Sequence, residues 1–148
     1  MLVTSPDGLH LAVHDLGGDG PPLLISHATG FHGHVYAPLA HALSHRFHCW
    51  AMDHRGHGSS ERPTTDLGDW ERFTADVLAV CETLGLEQAM GFGHSMGGTA
   101  LLMAERAQPR TFAGRVVFEP IAFPHDPARP DGPSMRVVGA RRRRAVFT

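Results

Sequence analysis

The sequence predicts an α/β protein with a parallel sheet. Short apolar runs alternate with longer segments of helical spacing along most of the chain, which is the order of repeated strand–helix units. Several of the runs are continuously apolar, as in strands that are covered on both faces. The 148 residues, of which 42% are hydrophobic, suffice for one domain with a core of its own.

Each predicted strand has a local signal. Residues 9–14 alternate apolar and polar side chains after the turn Pro6-Asp7-Gly8, which predicts a half-buried strand. The other predicted strands are short, mainly apolar segments: 23–26, 47–52, 88–94 and 115–118.

Three segments, 34–45, 69–84 and 96–107, have helical spacing. In the first, one face carries Val35, Leu39, Ala42 and Leu43. In the second, the inward side chains are Phe73, Val77, Val80, Cys81 and Leu84, and Gly85 follows in the helix-stop position. Residues 120–133 contain five prolines and predict an irregular connector. We expect Ser134 to cap a last helix and its four arginines, 141–144, to form a solvated face; a patch that binds an anion or nucleic acid is the alternative.

The most specific motif is Gly93-x-Ser95-x-Gly97, at the predicted junction of a strand and a helix. A serine on such a tight turn needs neighbours, two residues to either side, that are nearly free of side chain. The turn lifts the hydroxyl above the sheet edge and directs free N–H groups of the next helix at its target. The motif predicts a nucleophile at Ser95; the alternative is a glycine-rich turn with an incidental serine.

The loops after the strands should meet at the carboxyl edge of the sheet, beside Ser95. Loop 27–33 is rich in small residues, so its backbone N–H groups can approach a ligand. Acyl transfer needs two such donors for the developing oxyanion. We expect the N–H of Met96 as the first donor and that of Thr29 as the second, with Ala28 and Phe31 as alternatives to Thr29.

A second loop, Asp53–Ser59, is interpreted as structural rather than catalytic. Its glycines allow tight turns, Asp53 can accept from backbone N–H groups, and Arg55 can pair locally. Histidines cluster on the loops near Ser95, and none has an evident carboxylate behind it to fix its tautomer. They are His27, His32, His54, His57 and His94.

Charge and composition argue against several classes of partner. The formal net charge of −2 gives no reason to expect nucleic acid or an anionic membrane as partner. His41 and His45 lie four residues apart on a predicted helix but lack a third ligand, so neither a metal nor another cofactor is expected. Cys49 and Cys81 do not make a disulfide framework. With no signal-peptide pattern and no membrane-length apolar run, a cytoplasmic protein is the default expectation.

Taken together, three segments resemble the α/β-hydrolase superfamily, specifically its serine-nucleophile, esterase-like branch: His27–Gly33, Asp53–Gly58 and Gly93–Gly98. The resemblance runs along nearly the whole chain. It implies the α/β-hydrolase fold, a mostly parallel sheet with helices on both faces, here ending after about strand six. It also implies Ser95 as nucleophile, the backbones of Met96 and Thr29 as oxyanion donors, and a small ester-like or other acyl substrate.

The serine at the motif's centre narrows the class of reaction. Haloalkane dehalogenases and epoxide hydrolases of this fold have an aspartate there. Esterase, thioesterase, C–C hydrolase and cofactor-free haloperoxidase activities remain open. The identity of the substrate cannot be read from this part of the fold.

The chain departs from the family's triad order of serine, acid and then histidine. By the resemblance, 1–120 is the N-terminal part of the core, and 121–148 is a connector and the start of a lid helix. His125 is the only histidine after Ser95, and no strand precedes it, which argues against a role as base. Glu119 falls at the end of segment 115–118, which the resemblance makes strand six of the family's sheet and after which some members place their acid; a residue that merely caps the strand is the alternative.

Two hypotheses about function follow. In the first, the chain is a fragment of a serine hydrolase that keeps the nucleophile and oxyanion hole but lacks the base and the usual acid, and is inactive or weakly active alone. In the second, it is a non-catalytic binding or self-pairing module. Strand six, with Val116, Val117 and Phe118, would be an open apolar edge without its neighbour, which weighs against a module that is complete in itself. We expect the isolated chain to be poorly soluble or to self-associate.

Overall fold

The computed structural model describes residues 1–64 and 69–121. The predicted connector, the helix expected from Ser134 and His125 lie outside this part. The elements in chain order are β1 (Leu2–Thr4), β2 (His10–Asp15), β3 (Pro22–Ser26), a 3₁₀ turn (Gly33–Tyr36), α1 (Ala37–Leu43), β4 (His48–Met52), α2 (Trp70–Leu84), β5 (Ala89–His94), α3 (Met96–Ala107) and β6 (Phe112–Phe118).

The strands form a single mixed sheet in the order β1-β2-β4-β3-β5-β6. Strands β3, β4, β5 and β6 are parallel, whereas β2 pairs antiparallel with both β1 and β4. The mostly parallel sheet expected from the sequence is therefore confirmed. Because β3, β4, β5 and β6 run in the same direction, the loops that follow them all leave at the same edge.

Both faces of this sheet are covered by helices, as expected. Helices α2 and α3 pack on one face, where Val77, Ala100 and Leu101 are fully buried. Helix α1 and the 3₁₀ turn pack on the other, with Ile25 and Ala40 in a second cluster. Continuous apolar runs in β3 and β4 supply side chains to the two clusters, because successive residues of a strand point to opposite faces.

The segment predicted as one helix from 34 to 45 differs from the expectation. It begins as a 3₁₀ turn, and α1 follows with Pro38 in its first turn. Since a 3₁₀ turn has three residues per turn instead of 3.6, the inward face is displaced. Tyr36 and Ala40 are buried and Val35 is exposed, so the face predicted through Val35 and Ala42 is wrong.

The two longer helices match the sequence more closely. The predicted inward face of α2 is confirmed, although Leu84 is only partly buried. Asp69 caps this helix by accepting from the Glu71 N–H, and Gly85 ends it with a φ of 61°. Helix α3 has the predicted bounds, which places its first residue directly after Ser95.

Two strands, β1 and β6, differ from the prediction. Strand β1 was not predicted, because three residues are too short for a periodic signal. Strand β6 begins at Phe112, three residues before the predicted start, and its glycine at 114 interrupts the apolar pattern. The Glu105 carboxylate accepts from the N–H groups of Arg110 and Phe112 and so fixes the turn that leads into β6.

Candidate active site

Ser95 occupies a strained turn between β5 and α3. Its φ and ψ are 51° and −116°, a region that non-glycine residues rarely adopt. Its N–H donates to the carbonyl of Phe118 at 2.9 Å, so the end of β6 holds the turn in place. Within residues 1–64 and 69–121 the Ser95 hydroxyl has no hydrogen-bond partner and is partly exposed.

The glycines on either side of Ser95 allow three backbone segments to pack without side chains between them. A Cβ on Gly93 would lie 2.5 Å from the Cα of Gly98, in the first turn of α3. A Cβ on Gly97 would lie 2.1 Å from the carbonyl oxygen of Ser26, at the end of β3. No real Cβ tolerates such contacts. The sharp turn at Ser95 therefore depends on glycine at both positions.

Two backbone N–H groups near this turn are without partners in the described part of the chain. One belongs to Met96, the first residue of α3, and the other to Thr29, in the loop after β3. The alternative donors of that loop are engaged. The Ala28 N–H donates to the Tyr36 hydroxyl at 3.4 Å, and the Phe31 N–H donates to the Ala28 carbonyl at 3.0 Å.

His27 fixes the peptide group that carries the Thr29 N–H. Its Nδ1 donates to the Ala28 carbonyl at 2.8 Å, and its Nε2 accepts from the His54 N–H at 3.0 Å. Because the C=O and N–H of one trans peptide point in opposite directions, anchoring the Ala28 oxygen orients the Thr29 N–H the other way. Burial lowers the pKa of His27 to about 4, so the ring stays neutral and keeps this tautomer.

His54 is fully buried and contacts the end of β3. Its Nε2 lies 2.7 Å from the Ser26 Oγ, and the same Oγ lies 3.1 Å from the Gly97 carbonyl. A carbonyl can only accept, so both bonds form when Ser26 donates to Gly97 and His54 Nε2–H donates to Ser26. Burial, together with neighbouring His27, His57 and Arg55, lowers the pKa of His54 well below its ordinary value.

His94 precedes Ser95 and is held by Tyr36. The Tyr36 hydroxyl accepts from the Ala28 N–H and lies 2.8 Å from the His94 Nδ1. The ring of His94 also packs against Phe31 and Phe118, with centroids 5.9 and 5.2 Å away. Tyr36 thus links the loop after β3 to the residue beside the candidate nucleophile.

Loop 53–59 has the backbone contacts expected of Asp53, but not the local pairing expected of Arg55. Asp53 accepts from the N–H groups of Gly33 and Ser59. Burial raises the pKa of its carboxyl, but these bonds and the ring of His14 at 3.0 Å outweigh burial and hold the pKa below its usual range. Arg55, predicted to pair locally, instead forms long-range ion pairs.

Those ion pairs anchor the loop to α2 and to the N-terminal turn. Arg55 is 1% exposed and contacts both carboxylate oxygens of Asp76, at 2.6 and 2.7 Å. It also reaches Asp7 at 2.8 Å, and Ser5 donates to Asp76. Burial disfavours the guanidinium charge, but the two carboxylates overcome this effect and raise the pKa of Arg55.

The remaining candidates are less closely connected to Ser95. Glu119 is exposed directly after β6, with a φ of 46°, and its carboxylate makes no hydrogen bond or ion pair to another described residue. His27, His54 and His57 form one cluster of rings, with His27 4.9 and 5.2 Å from the other two. Among the residues that the structure describes, no histidine bonds to the Ser95 hydroxyl.

Two other observations limit the site. In the described ranges, no three histidine, cysteine, aspartate or glutamate side chains are grouped to hold a metal ion. No helix in those ranges is long and apolar enough to cross a bilayer.

Sequence reasoning missed Ser26 and Tyr36 as contributors to the candidate site. The available signals were a hydroxyl at the end of an apolar strand and the single tyrosine of the chain.

Comparison with known proteins shows to which family the chain belongs. The family model described as alpha/beta hydrolase fold matches residues 21–132. The chain belongs to the α/β-hydrolase family. It is 33% identical to a non-heme chloroperoxidase of Streptomyces lividans over 141 residues, covering 91% of this chain and 50% of that protein. It is 30% identical to a monoglyceride lipase of Mus musculus, covering 94% of this chain and 48% of the relative.

Solved structures of the family agree with the fold described above. The esterase RhEst1 of Rhodococcus sp. ECU1013 superposes with a TM-score of 0.76 at 26% identity, covering 82% of this chain and 46% of that one. This α/β-hydrolase chain thus spans about half the length of the relatives that it matches.

Proposed function

We propose that Ser95 is the nucleophile of an acyl-transfer reaction, the hydrolysis of an ester or a related small acyl substrate. The observation that carries the proposal is the strained φ of 51° at Ser95, on a strand–helix turn that two glycines make accessible. A non-glycine residue in such a sparsely populated conformation costs about 1–3 kcal/mol, and strain of this kind concentrates at functional sites. The names of the relatives, a lipase and an esterase among them, support the same reaction class.

In this reaction the Ser95 Oγ attacks the acyl carbon and loses its proton to a base. The carbonyl oxygen becomes an oxyanion, which the N–H groups of Met96 and Thr29 stabilise. Each such donor contributes about 3 kcal/mol to transition-state stabilisation. The bond to the leaving group then breaks, the leaving group takes a proton, and water hydrolyses the acyl-serine.

The general base is the missing part of this proposal. The described residues offer the Ser95 hydroxyl no imidazole, and Glu119, the proposed acid after β6, contacts no histidine there. Without a base, binding and the oxyanion donors give at most a residual acceleration of roughly 10³–10⁴-fold over water. We therefore propose that the 148-residue chain alone reacts slowly.

A fluorophosphonate probe tests the proposal, because it phosphonylates activated serines. Incubated for hours with the purified chain, it should label Ser95 slowly, and Ser95→Ala should abolish this labelling. Ser44→Ala is the matched control, because its hydroxyl is on the surface and only donates to the His41 carbonyl. Labelling that persists in Ser95→Ala, or no labelling of the parent, would contradict the proposal. Labelling within seconds would show that the chain already holds a base.

A non-catalytic, self-pairing module is the second candidate. Its support is strand β6, which lies at the edge of the described sheet with Val116 57% and Phe118 54% exposed. Unpaired strand edges with apolar side chains pair readily with a second chain. Under this proposal the chain forms a dimer through β6, and the probe does not react with Ser95.

A further inference from the structure

The carboxyl ends of β3, β4 and β5 are joined by one buried chain of hydrogen bonds. It begins at the carbonyl of Gly97 in the first turn of α3, which accepts from the Ser26 Oγ at 3.1 Å. The Ser26 Oγ in turn accepts from His54 Nε2 at 2.7 Å, and the His54 backbone N–H donates to His27 Nε2 at 3.0 Å. It ends at the Ala28 carbonyl, which accepts from His27 Nδ1.

The two ends of this chain are the two places that hold the unpartnered N–H groups. Gly97 follows Met96 in the first turn of α3, and the Ala28 carbonyl belongs to the same peptide group as the Thr29 N–H. His54 contacts both sides, through its side chain to Ser26 and through its backbone to His27. All three side chains are fully buried, so water does not compete for these bonds.

We propose that Ser26 and His54 are positioning residues that set the separation and direction of the Met96 and Thr29 N–H groups. This inference rests on the proposed function, in which these groups bind the oxyanion. Neither side chain would touch the substrate. Their effect is transmitted through Gly97 and through the Ala28–Thr29 peptide.

The proposal requires one tautomer of His54. Ser26 has a single hydroxyl hydrogen, which goes to Gly97, so His54 must carry its proton on Nε2. Its Nδ1 is then a bare lone pair, and this atom is buried without a hydrogen-bond partner in the described structure. The opposite tautomer would bury an unpaired N–H and would take the Ser26 hydrogen away from Gly97, which breaks the chain.

The ring ¹⁵N resonances of His54 in the unmodified protein test this requirement without any substitution. A protonated Nε2 and a bare Nδ1 are expected throughout the range from pH 5 to 8. A proton on Nδ1 would overturn the proposal.

Matched variants test the positioning role itself. In His54→Gln the side-chain amide can occupy the Nε2 position and donate to Ser26, whereas in His54→Asn it is too short. We expect His54→Asn and Ser26→Ala to move the Met96 and Thr29 amide resonances and to slow Ser95-dependent probe labelling about tenfold, since small misplacements of reacting groups cost up to roughly 100-fold. His54→Gln should retain parental resonances and labelling.

The outcomes separate the two proposals. Equal labelling and unchanged amide resonances in all variants would overturn the positioning role alone. A parent chain that never labels at Ser95 would overturn the proposed function and, with it, the oxyanion role of these amides. If His54→Gln keeps the parental melting temperature but labels as slowly as His54→Asn, then Ser26 and His54 have only a structural role. This result would also overturn the inference.

Discussion

The carbonyl oxygen of Ser26 would lie only 2.1 Å from a Cβ on Gly97. A methyl group there would have to push the end of β3 away from the first turn of α3. Both segments are backbone, which has no alternative rotamer to adopt. The strand end and the helix start are thus in direct contact, and they carry or adjoin the two proposed oxyanion donors.

Gly97→Ala should therefore destabilise the chain and remove Ser95 labelling. Overpacking in well-packed regions costs about 1–3 kcal/mol, and we expect the upper end because backbone cannot yield. The measurement is urea unfolding followed by circular dichroism. Gly8→Ala is the control: it has a φ of 87° but open space around its Cβ, so only backbone strain of about 1 kcal/mol applies. Equal losses of stability in Gly97→Ala and Gly8→Ala would contradict the close contact between Gly97 and the Ser26 carbonyl.

The buried ion pair between Arg55 and Asp76 gives a second prediction. Asp76→Asn removes the charge that faces the guanidinium at 2.6 Å and leaves it partly uncompensated in the interior. Breaking such a pair from one side costs about 3–5 kcal/mol. The matched control is Asp15→Asn, since Asp15 pairs with His48 on the surface and is half exposed. That change should cost under about 1 kcal/mol. A small loss of stability in Asp76→Asn would show that the Asp7 carboxylate alone compensates the charge of Arg55.

The sequence predicted the elements that have strong local signals. Helix α2 has a periodic face and a terminal glycine, and both are where the pattern placed them, whereas Asp69, predicted as the first helical residue, is the N-cap. The turn at Ser95 was predictable because its glycines are required by close backbone contact. The inward face of α1 could not be predicted, because a 3₁₀ turn precedes the helix and displaces that face. An argument from sequence periodicity assumes a regular helix from the first residue.

The supporting contacts of the candidate site were beyond sequence reasoning. Ser26 and His54 are 28 residues apart, and Arg55 and Asp76 are 21 apart. Such pairs depend on the order of strands in the sheet, with β4 placed beside β3. The sequence indicated that the loops meet at one edge, but not which side chains bond there.

The exposed edge strand β6 gives a third prediction. If self-association occurs through this edge, Val116→Lys should shift the chain from dimer to monomer, because a charged side chain on an edge strand opposes pairing. Analytical ultracentrifugation over a range of concentrations measures the shift. Leu102→Lys is the control, because Leu102 is similarly exposed but lies on α3. A parent chain that is monodisperse, monomeric and melts cooperatively would contradict self-association.

The neutral, buried histidines give a prediction about pH. The pKa of His27 is lowered by burial from 6.5 to about 4, and the pKa of His54 is lowered in the same direction. The unfolded chain therefore binds more protons than the folded chain between pH 6.5 and 4. Stability is fully present above pH 6.5 and is lost as the pH falls through this window. For His27 alone the loss between pH 7.5 and 5 is about 2 kcal/mol.

Urea unfolding at pH 7.5 and pH 5 measures this loss, and His27→Gln separates the contribution of His27. The glutamine does not titrate, although its oxygen can still accept from the His54 N–H, so the pH-dependent loss should shrink by about 2 kcal/mol in the variant. Carboxylates with a lowered pKa, such as those of Asp7 and Asp53, stay charged between pH 7.5 and pH 5 and therefore add little to the difference between these two measurements. An equal pH dependence in parent and variant would mean that His27 titrates alike in the folded and the unfolded chain. Its ring would then be protonated at pH 5, and its Nε2 could not accept from the His54 N–H.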